Sequence, residues 1–243
     1  MTANKKYRTK KLSLAVDCII FGYNEDEGLK LLVIRRGFEP CKGQLSLMGG
    51  FVQEDESAED AARRVLHDLT GLEGIYMEQM HVFSKPDRDP AERTVVVAFF
   101  ALIDIKKYQN QMSTGYLSQW FPINQYPDLI FDHSEMVEMA KEHLRYRAAQ
   151  HPLLFELLPS KFTIPQLMKL YEELYNTKLD LGNFSRKLIS TGLIVKQKDR
   201  DKAGSKKGAF YYKLDAKRYE EGFSSFLNFV TRPKLKTRQA KRN

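Results

Sequence analysis

One short stretch of this chain has the helical spacing, although not the full set of residue types, that metal-dependent chemistry would need. Ser57, followed three residues later by Asp60, is suited to cap the start of a helix, and Gly71 is suited to end it. We therefore expect a helix over residues 58–70. On that helix the positions 65, 68 and 69 share one face, where three carboxylates could hold a hard cation that activates water.

The expected helix face lacks most of those carboxylates. Its three positions hold Val65, Asp68 and Leu69, so one acidic side chain stands where a divalent cation needs several oxygen ligands. A second acidic group precedes the helix and is interpreted as a solvated loop rather than a metal site: Glu54, Asp55 and Glu56. The five histidines show no metal spacing and no associated Cys-x-x-Cys motif. We predict no metal, no cofactor and no catalytic residue.

The frame around this helix resembles the Nudix box, G-x5-E-x7-R-E-U-x-E-E-x-G-U, where U is a bulky aliphatic residue. The positions in register are Gly50, Glu56, Arg64, Leu66, Gly71 and Leu72. In that family the positions corresponding to 65, 68 and 69 carry metal-holding glutamates, and the first glutamate pairs with the box arginine. The resemblance implies a Nudix α/β/α sandwich over residues 12–150 that has kept its pocket and lost its catalysis.

Charge is divided unevenly along the chain. Residues 1–150 hold 19 Lys and Arg against 22 Asp and Glu, whereas residues 151–243 hold 20 against 9, which gives the net charge of +8. Five of the basic residues lie in an N-terminal arm, residues 1–11. An acidic body flanked by basic segments predicts a polyanionic partner.

The compartment is predicted from cysteine usage and from hydropathy. Cys18 and Cys41 lie in a strand pattern and in a loop, which suits a reducing compartment better than a disulfide framework. Neither a signal peptide nor an apolar run of membrane-spanning length is visible. We expect a cytoplasmic protein with no membrane contact.

Hydrophobic periodicity places most strands of the first domain before its last helix. Alternating or continuous apolar patterns predict strands over residues 12–21, 29–35, 77–84 and 94–105. A helix is predicted over Glu135–Ala149, with Ser134 as its cap. This order, with the box helix between strands, is typical of an α/β/α sandwich.

Beyond His151-Pro152 the pattern is that of a winged helix-turn-helix domain, which we place at residues 151–230 and follow with a disordered basic tail at 231–243. The expected elements, in order, are helices at 152–158, 164–175 and 181–191, a strand at 193–198, a basic turn at 199–208 and a strand at 209–214. The fold class is therefore α+β. A three-helix adaptor that binds proteins is the alternative, and the basic charge favours DNA.

The recognition helix, the wing and the arm carry donors that suit phosphates and base edges. The predicted DNA contacts are Asn183, Ser185, Arg186, Lys187, Lys202, Ser205, Lys206 and Lys207, with Lys5, Lys6 and Arg8 of the arm. The alternative is that these side chains only solubilise an exposed surface.

Several runs in the second domain resemble the Nudix-related transcriptional regulators. They are Leu158-Pro159-Ser160-Lys161-Phe162-Thr163, Asn183-Phe184-Ser185-Arg186-Lys187 and Gly192-Leu193. In that family a Nudix-like domain senses a small molecule and a winged helix binds operator DNA. Overall, the chain is most similar to the Bacteroidetes branch that represses L-arabinose utilisation genes. The resemblance implies a homodimeric repressor with L-arabinose as effector.

A pentose site should offer a carboxylate, a cation and an aromatic wall. The candidates interrupt the first strand, precede the box or begin a later strand: Asp17, Arg35, Phe38, Lys42 and Glu92. For each, the alternative is a surface ion pair or, for Phe38, core packing. The segment 84–90 resembles the Arg-Asp-Pro loop of the regulators, which could contact the effector or shape the loop.

Three other functions stay open from the sequence. One is the same architecture sensing ADP-ribose or another nucleotide sugar. Another is an active Nudix hydrolase with a nucleic-acid-binding appendage, which Val65 and Leu69 argue against. The third is an architectural DNA-binding protein with an inert first domain.

Overall fold

The computed structural model describes residues 12–112, 118–202, 208–215 and 217–218 of the 243-residue chain. These residues form two compact units: the first runs to Leu157 and includes Lys169–Lys178, and the second comprises Leu158–Met168 and the residues from Leu179 onward. Several predicted DNA contacts lie outside the described residues, as does the basic tail: Lys5, Lys6, Arg8, Ser205, Lys206 and Lys207. In the described part of the chain no helix is long and apolar enough to cross a membrane.

A seven-stranded mixed sheet forms the centre of the first unit. Its strands are β1 Ser13–Asn24, β2 Gly28–Arg35, β3 Leu45–Ser46, β4 Met48–Phe51, β5 Glu78–Phe83, β6 Thr94–Asp104 and β7 Ser118–Pro122. The main order is β3-β2-β1-β6-β5, with β4 also paired to β1 and β7 to β2. β1 runs parallel to β6 and antiparallel to β2 and β4. The four predicted strands are therefore present, with ends shifted by at most three residues.

Three helices accompany this sheet: α1 Ala58–Thr70, α2 Ile105–Tyr108 and α3 His133–Gln150. The prediction for the box helix is confirmed residue for residue. Ser57 and Asp60 form a reciprocal capping box, and Gly71 ends α1 in a left-handed conformation with a φ of 77°. α1 packs on the sheet face to which Val16 and Cys18 of β1 belong.

The predicted start of α3 is wrong by two residues. Asp132 stands at the N-cap without a side-chain capping bond, and its carboxylate binds Arg88. The hydroxyl of Ser134, the residue expected to cap the helix, instead accepts a hydrogen bond from the backbone N–H of Leu129 at 3.1 Å. The prediction missed a tertiary contact that no local pattern records.

The winged helix-turn-helix domain is confirmed. After a 3₁₀ helix at Leu153–Leu157, its elements are β8 Phe162–Thr163, α4 Ile164–Tyr175, α5 Leu181–Ser190, β9 Ile194–Asp201 and β10 Ala209–Leu214. β8, β10 and β9 form an antiparallel sheet in that order. α5 ends one residue earlier than predicted, and β9 extends three residues into the segment predicted as a turn.

A buried polar cluster fastens the start of α3 to the sheet. Arg88 binds Asp132 through two hydrogen bonds, Nε to Oδ2 at 3.0 Å and Nη2 to Oδ1 at 2.6 Å. The same Nη2 lies 3.6 Å from Oδ2 of Asp17 in the middle of β1. The N–H of Leu47 donates to Nδ1 of His133 at 3.1 Å, which assigns the ring proton to Nε2, 3.6 Å from Asp17.

Burial moves the pKa values of two cluster members in opposite directions. Removal from water raises the pKa of Asp17 to about 7, against the attraction of Arg88. Burial, aided by the guanidinium groups of Arg88 and Arg36, lowers the pKa of His133 to about 3. Between pH 4 and 6.5, Asp17 is therefore protonated mainly in the folded protein, whereas His133 is protonated mainly in the unfolded chain. The two effects on the free energy of unfolding oppose each other in that window.

Separate substitutions should reveal each half of this balance. In Asp17→Asn only the His133 contribution remains, so the free energy of unfolding should fall on acidification, by up to about 1.4 kcal/mol per pH unit relative to wild type. In His133→Asn, whose amide oxygen can still accept a hydrogen bond from Leu47, the free energy of unfolding should rise on acidification. Urea unfolding followed by the fluorescence of Trp120, the single tryptophan, measures both. Parallel pH profiles for the three proteins would contradict the assignment.

Candidate functional site

On the box helix, two of the three positions that hold metal ligands in Nudix enzymes carry apolar side chains. Val65 is 3% exposed, and a Cβ added to Gly50 would lie 2.7 Å from its Cγ2, so the two residues are in close contact. Leu69 packs against the same core. Asp68 is exposed, with a carboxylate oxygen 3.8 Å from Arg64. One surface carboxylate stands where Nudix enzymes have three.

The first box glutamate is occupied by structural partners. Arg64 donates to Glu56 from Nη2 at 2.5 Å and from Nε at 2.9 Å, and the N–H of Gln53 donates to Oε1 at 2.8 Å. These bonds hold the pKa of Glu56 below its usual value, and the bond from Arg64 has the largest effect. Among the described residues no group of three or more metal-ligating side chains is assembled. The divalent metal of Nudix enzymes does not fit this donor set.

The loop before the box is organised by Arg36 rather than by the predicted Arg35. Arg35 is exposed and donates to the carbonyl oxygen of Gly43 at 2.7 Å. Arg36 is half-buried and donates from Nε to the carbonyl oxygens of Phe38 and Pro40, at 3.2 and 2.7 Å. Its guanidinium also lies 4.0 Å from the centre of the Phe38 ring. Arg36 acts electrostatically on Asp17 and His133, which places it near the buried cluster.

The other predicted effector residues fall in different environments. Asp17 is 5% exposed and has the polar neighbours that its place in an apolar strand implied. Phe38 is 61% exposed, and Lys42 is also exposed, on the loop that holds Arg36. Glu92 accepts a hydrogen bond from the Ser13 hydroxyl at 2.7 Å in an exposed position near the start of β1. The structure gathers Asp17 with the Arg36 loop and leaves Glu92 in a separate surface contact.

Sequence reasoning missed four polar residues of this region: Arg36, Arg88, Asp132 and His133. Arg88 lies in the segment that resembles the regulators' Arg-Asp-Pro loop, and its side chain is 3% exposed. Its bidentate bond to Asp132 shows that this arginine anchors the loop. The resemblance at residues 84–90 was the one available signal. Asp132, the partner of Arg88, is 44 residues away, and nothing in the sequence signals their pairing.

The second helix of the winged helix presents a polar surface. Asn183, Arg186 and Lys187 of α5 are exposed, whereas Ser185 is half-buried. Nη2 of Arg186 donates to Oδ1 of Asn183 at 2.8 Å, one helical turn away. This bond orients the guanidinium on the exposed surface of α5.

Strand β9 adds exposed basic residues that the sequence interpretation did not single out. Nζ of Lys196 lies 3.6 Å and the guanidinium of Arg200 3.8 Å from the centre of the Phe210 ring on β10. Lys198 and the predicted Lys202 are exposed on the same strand and just after it. The first strand of the wing therefore carries three exposed basic residues, together with Asp199 and Asp201.

Two family profiles together match most of the chain. The profile described as NUDIX domain matches residues 11–140, and the NrtR DNA-binding winged helix domain matches residues 154–214. The Acinetobacter baylyi protein named ADPR responsive transcriptional repressor NtrR is 31% identical over 220 residues, which cover 89% of this chain and 87% of the relative. An ADP-ribose pyrophosphatase from Methanocaldococcus jannaschii is 32% identical over 147 residues, which cover 59% of this chain and 80% of the enzyme.

Solved structures agree with both halves of this match. Shewanella oneidensis NrtR in complex with a 27mer DNA is 28% identical with a TM-score of 0.67, over 85% of this chain and 95% of that one. The NUDIX domain of the same protein in complex with ADP ribose is 33% identical with a TM-score of 0.50, over 58% of this chain and 95% of that one. The chain therefore belongs to the NrtR-like family of transcriptional regulators, in which a Nudix domain is joined to a DNA-binding winged helix.

Proposed function

We propose that this chain is a cytoplasmic, homodimeric repressor whose affinity for operator DNA is set by a small molecule bound in its Nudix domain. The observation that carries the proposal is the contrast between the two parts. The box helix has Val65 and Leu69 in place of metal-binding carboxylates, whereas α5 displays Arg186, held by Asn183, to solvent. A single recognition helix reads one half-site, so a dimer on a near-palindromic operator supplies useful affinity.

The effector that we propose is an uncharged pentose, L-arabinose. Residues 12–150 hold 14 Lys and Arg against 22 Asp and Glu, and this acidic body repels an anion. Two of its arginines are already neutralised, Arg64 by Glu56 and Arg88 by Asp132. Sugar hydroxyls both donate and accept hydrogen bonds, and Arg36 and Asp17 offer groups of both kinds in the region of the Arg36 loop.

ADP-ribose is the second candidate effector. The Acinetobacter relative is described as ADPR responsive, and the NUDIX domain of the Shewanella relative was solved with ADP ribose. Two phosphate groups would require cationic partners, and half-buried Arg36 is one available guanidinium. The two ligands differ in charge, so the salt dependence of binding separates them.

The protein should not hydrolyse nucleoside diphosphate derivatives. With Mg²⁺ or Mn²⁺, purified protein should convert ADP-ribose and NADH no faster than a no-enzyme control, because Val65 and Leu69 supply no metal ligands. Chromatography of the products measures this. Metal-dependent turnover that disappears in Asp68→Ala would contradict the proposal and favour the hydrolase function. Glu59→Ala, which removes another exposed carboxylate of α1, is the control.

The effector should bind through the loop before the box. Calorimetric titration should show L-arabinose binding to the wild-type protein and little dependence on salt. Lys42→Ala should weaken that binding by about 1–3 kcal/mol, because a sugar hydroxyl would lose its partner. Lys107→Ala removes an exposed lysine of α2 and should bind like wild type. Salt-sensitive binding of ADP-ribose with no response to arabinose would identify the second candidate instead.

The recognition helix should read sequence through Arg186. In gel shifts with duplexes selected by the wild-type protein from a random pool, Arg186→Ala should cost about 1–3 kcal/mol and relax the preference at one base pair. Lys202→Ala should weaken binding to all duplexes and reduce the salt slope by about one unit per half-site, since we assign it to phosphate. Unaltered sequence preference in Arg186→Ala would remove this arginine from base recognition.

A further inference from the structure

Helix α3 is engaged by polar bonds at both of its ends. With 18 residues it spans about 27 Å at 1.5 Å per residue. Its first turn is fixed by the cluster in which Asp132 binds Arg88 and His133 faces Asp17. The Arg36 loop, where we place the effector, lies next to that cluster. An event at the effector loop can therefore act directly on the start of α3.

The last two turns of α3 are bonded to residues 169–178, which belong to the same compact unit. The Tyr175 hydroxyl donates to the carbonyl oxygen of Arg145 at 2.8 Å, and the Tyr171 hydroxyl donates to that of Ala148 at 3.2 Å. In return, Nε of Arg145 donates to the carbonyl oxygen of Leu174 at 2.8 Å. The rings of Tyr171 and Tyr175 are stacked, with centres 6.2 Å apart.

The end of α4 is also tied to the sheet. Oε2 of Glu173 accepts from the N–H of Leu29 at 2.6 Å, and Nδ2 of Asn124 donates to the carbonyl oxygen of Glu173 at 2.6 Å. A Cβ added to Gly28 would lie 2.4 Å from the Glu173 carboxylate, so this contact leaves no free space. The final turn of α4 is therefore hydrogen-bonded both to β2 and to α3.

α4 belongs to both compact units. Its residues up to Met168 are part of the second unit, and those from Lys169 onward are part of the first. A continuous helix transmits a displacement of one end to the other, because each turn is held by the backbone bonds of the next. No other described helix is divided in this way.

We propose that α3 transmits effector occupancy to the winged helix through the hydrogen bonds that Tyr171 and Tyr175 of α4 make with carbonyl oxygens of α3. This inference rests on the proposed function, since it assigns a route to that regulation. The effector biases the start of α3 at the Asp132–Arg88 bond. The tyrosine bonds make α4 move with α3, and α4 leads directly to α5. An effector can shift DNA affinity only by such a difference between two conformations.

The test is a double substitution that removes two hydroxyls and keeps both rings, Tyr171→Phe with Tyr175→Phe. Full-length wild type, the double variant and the control Tyr146→Phe are compared, the control being a tyrosine of α3 that is 63% exposed. DNA affinity is measured with the duplex selected by wild type, with and without saturating L-arabinose and, separately, ADP-ribose. Ligand affinity is measured by calorimetry in the absence of DNA.

Wild type and Tyr146→Phe should lose DNA affinity by on the order of 5- to 150-fold when the ligand is bound. The double variant should keep its ligand affinity and its DNA affinity without ligand within about threefold, yet respond to ligand by less than about twofold. A full response in the double variant would overturn the inference and leave the proposed function intact. So would a loss of DNA affinity that is equal with and without ligand, since it indicates a structural role. If wild type responds to neither ligand, the proposed function fails, and the inference fails with it.

Discussion

The first domain depends on one buried guanidinium. Arg88 has a side chain that is 3% exposed and lies against two carboxylates, those of Asp132 and Asp17. An unpaired charge at such a site would cost several kcal/mol, so each partner is needed for the other groups to be buried at all. The three residues come from a loop, a helix start and the central strand. Their pairing therefore joins the elements that surround the proposed effector loop.

The apolar face of α1 follows from packing as much as from the missing carboxylates. Val65 fills the space beside Gly50 and belongs to the core between α1 and the sheet. A glutamate at this position would place its carboxylate among apolar neighbours, where an ion without a partner is strongly disfavoured. The box has kept the Glu56–Arg64 bond, which shapes the loop before α1. The Glu56–Arg64 bond and the apolar face of α1 are therefore separate features: the first shapes the loop before the helix, and the second belongs to the core.

Local patterns were sufficient for α1 and α4 and insufficient for the start of α3 and for the site. The bounds of α1 and α4 could be predicted because capping residues and apolar spacing act within one turn. Asp132, rather than Ser134, is the N-cap of α3, and its carboxylate binds an arginine 44 residues away. Arg36 rather than Arg35 organises the loop because β2 ends at Arg35, and the backbone beyond it decides which side chain turns inward. Contacts between residues that are far apart in the sequence produce no local periodicity from which they could be predicted.

Polar contacts at the two ends of α3 suit regulation better than a wholly apolar interface would. Packed apolar surfaces resist displacement without choosing between alternatives, whereas hydrogen bonds are directional and are either made or exchanged. At the start of α3, Asp132 and Asp17 compete for the same Nη2 of Arg88, at 2.6 and 3.6 Å. The effector that we propose at the Arg36 loop would add a further partner to that competition. The bonds that hold the start of α3 to the sheet are therefore the ones that a bound molecule would have to alter in order to favour a second conformation.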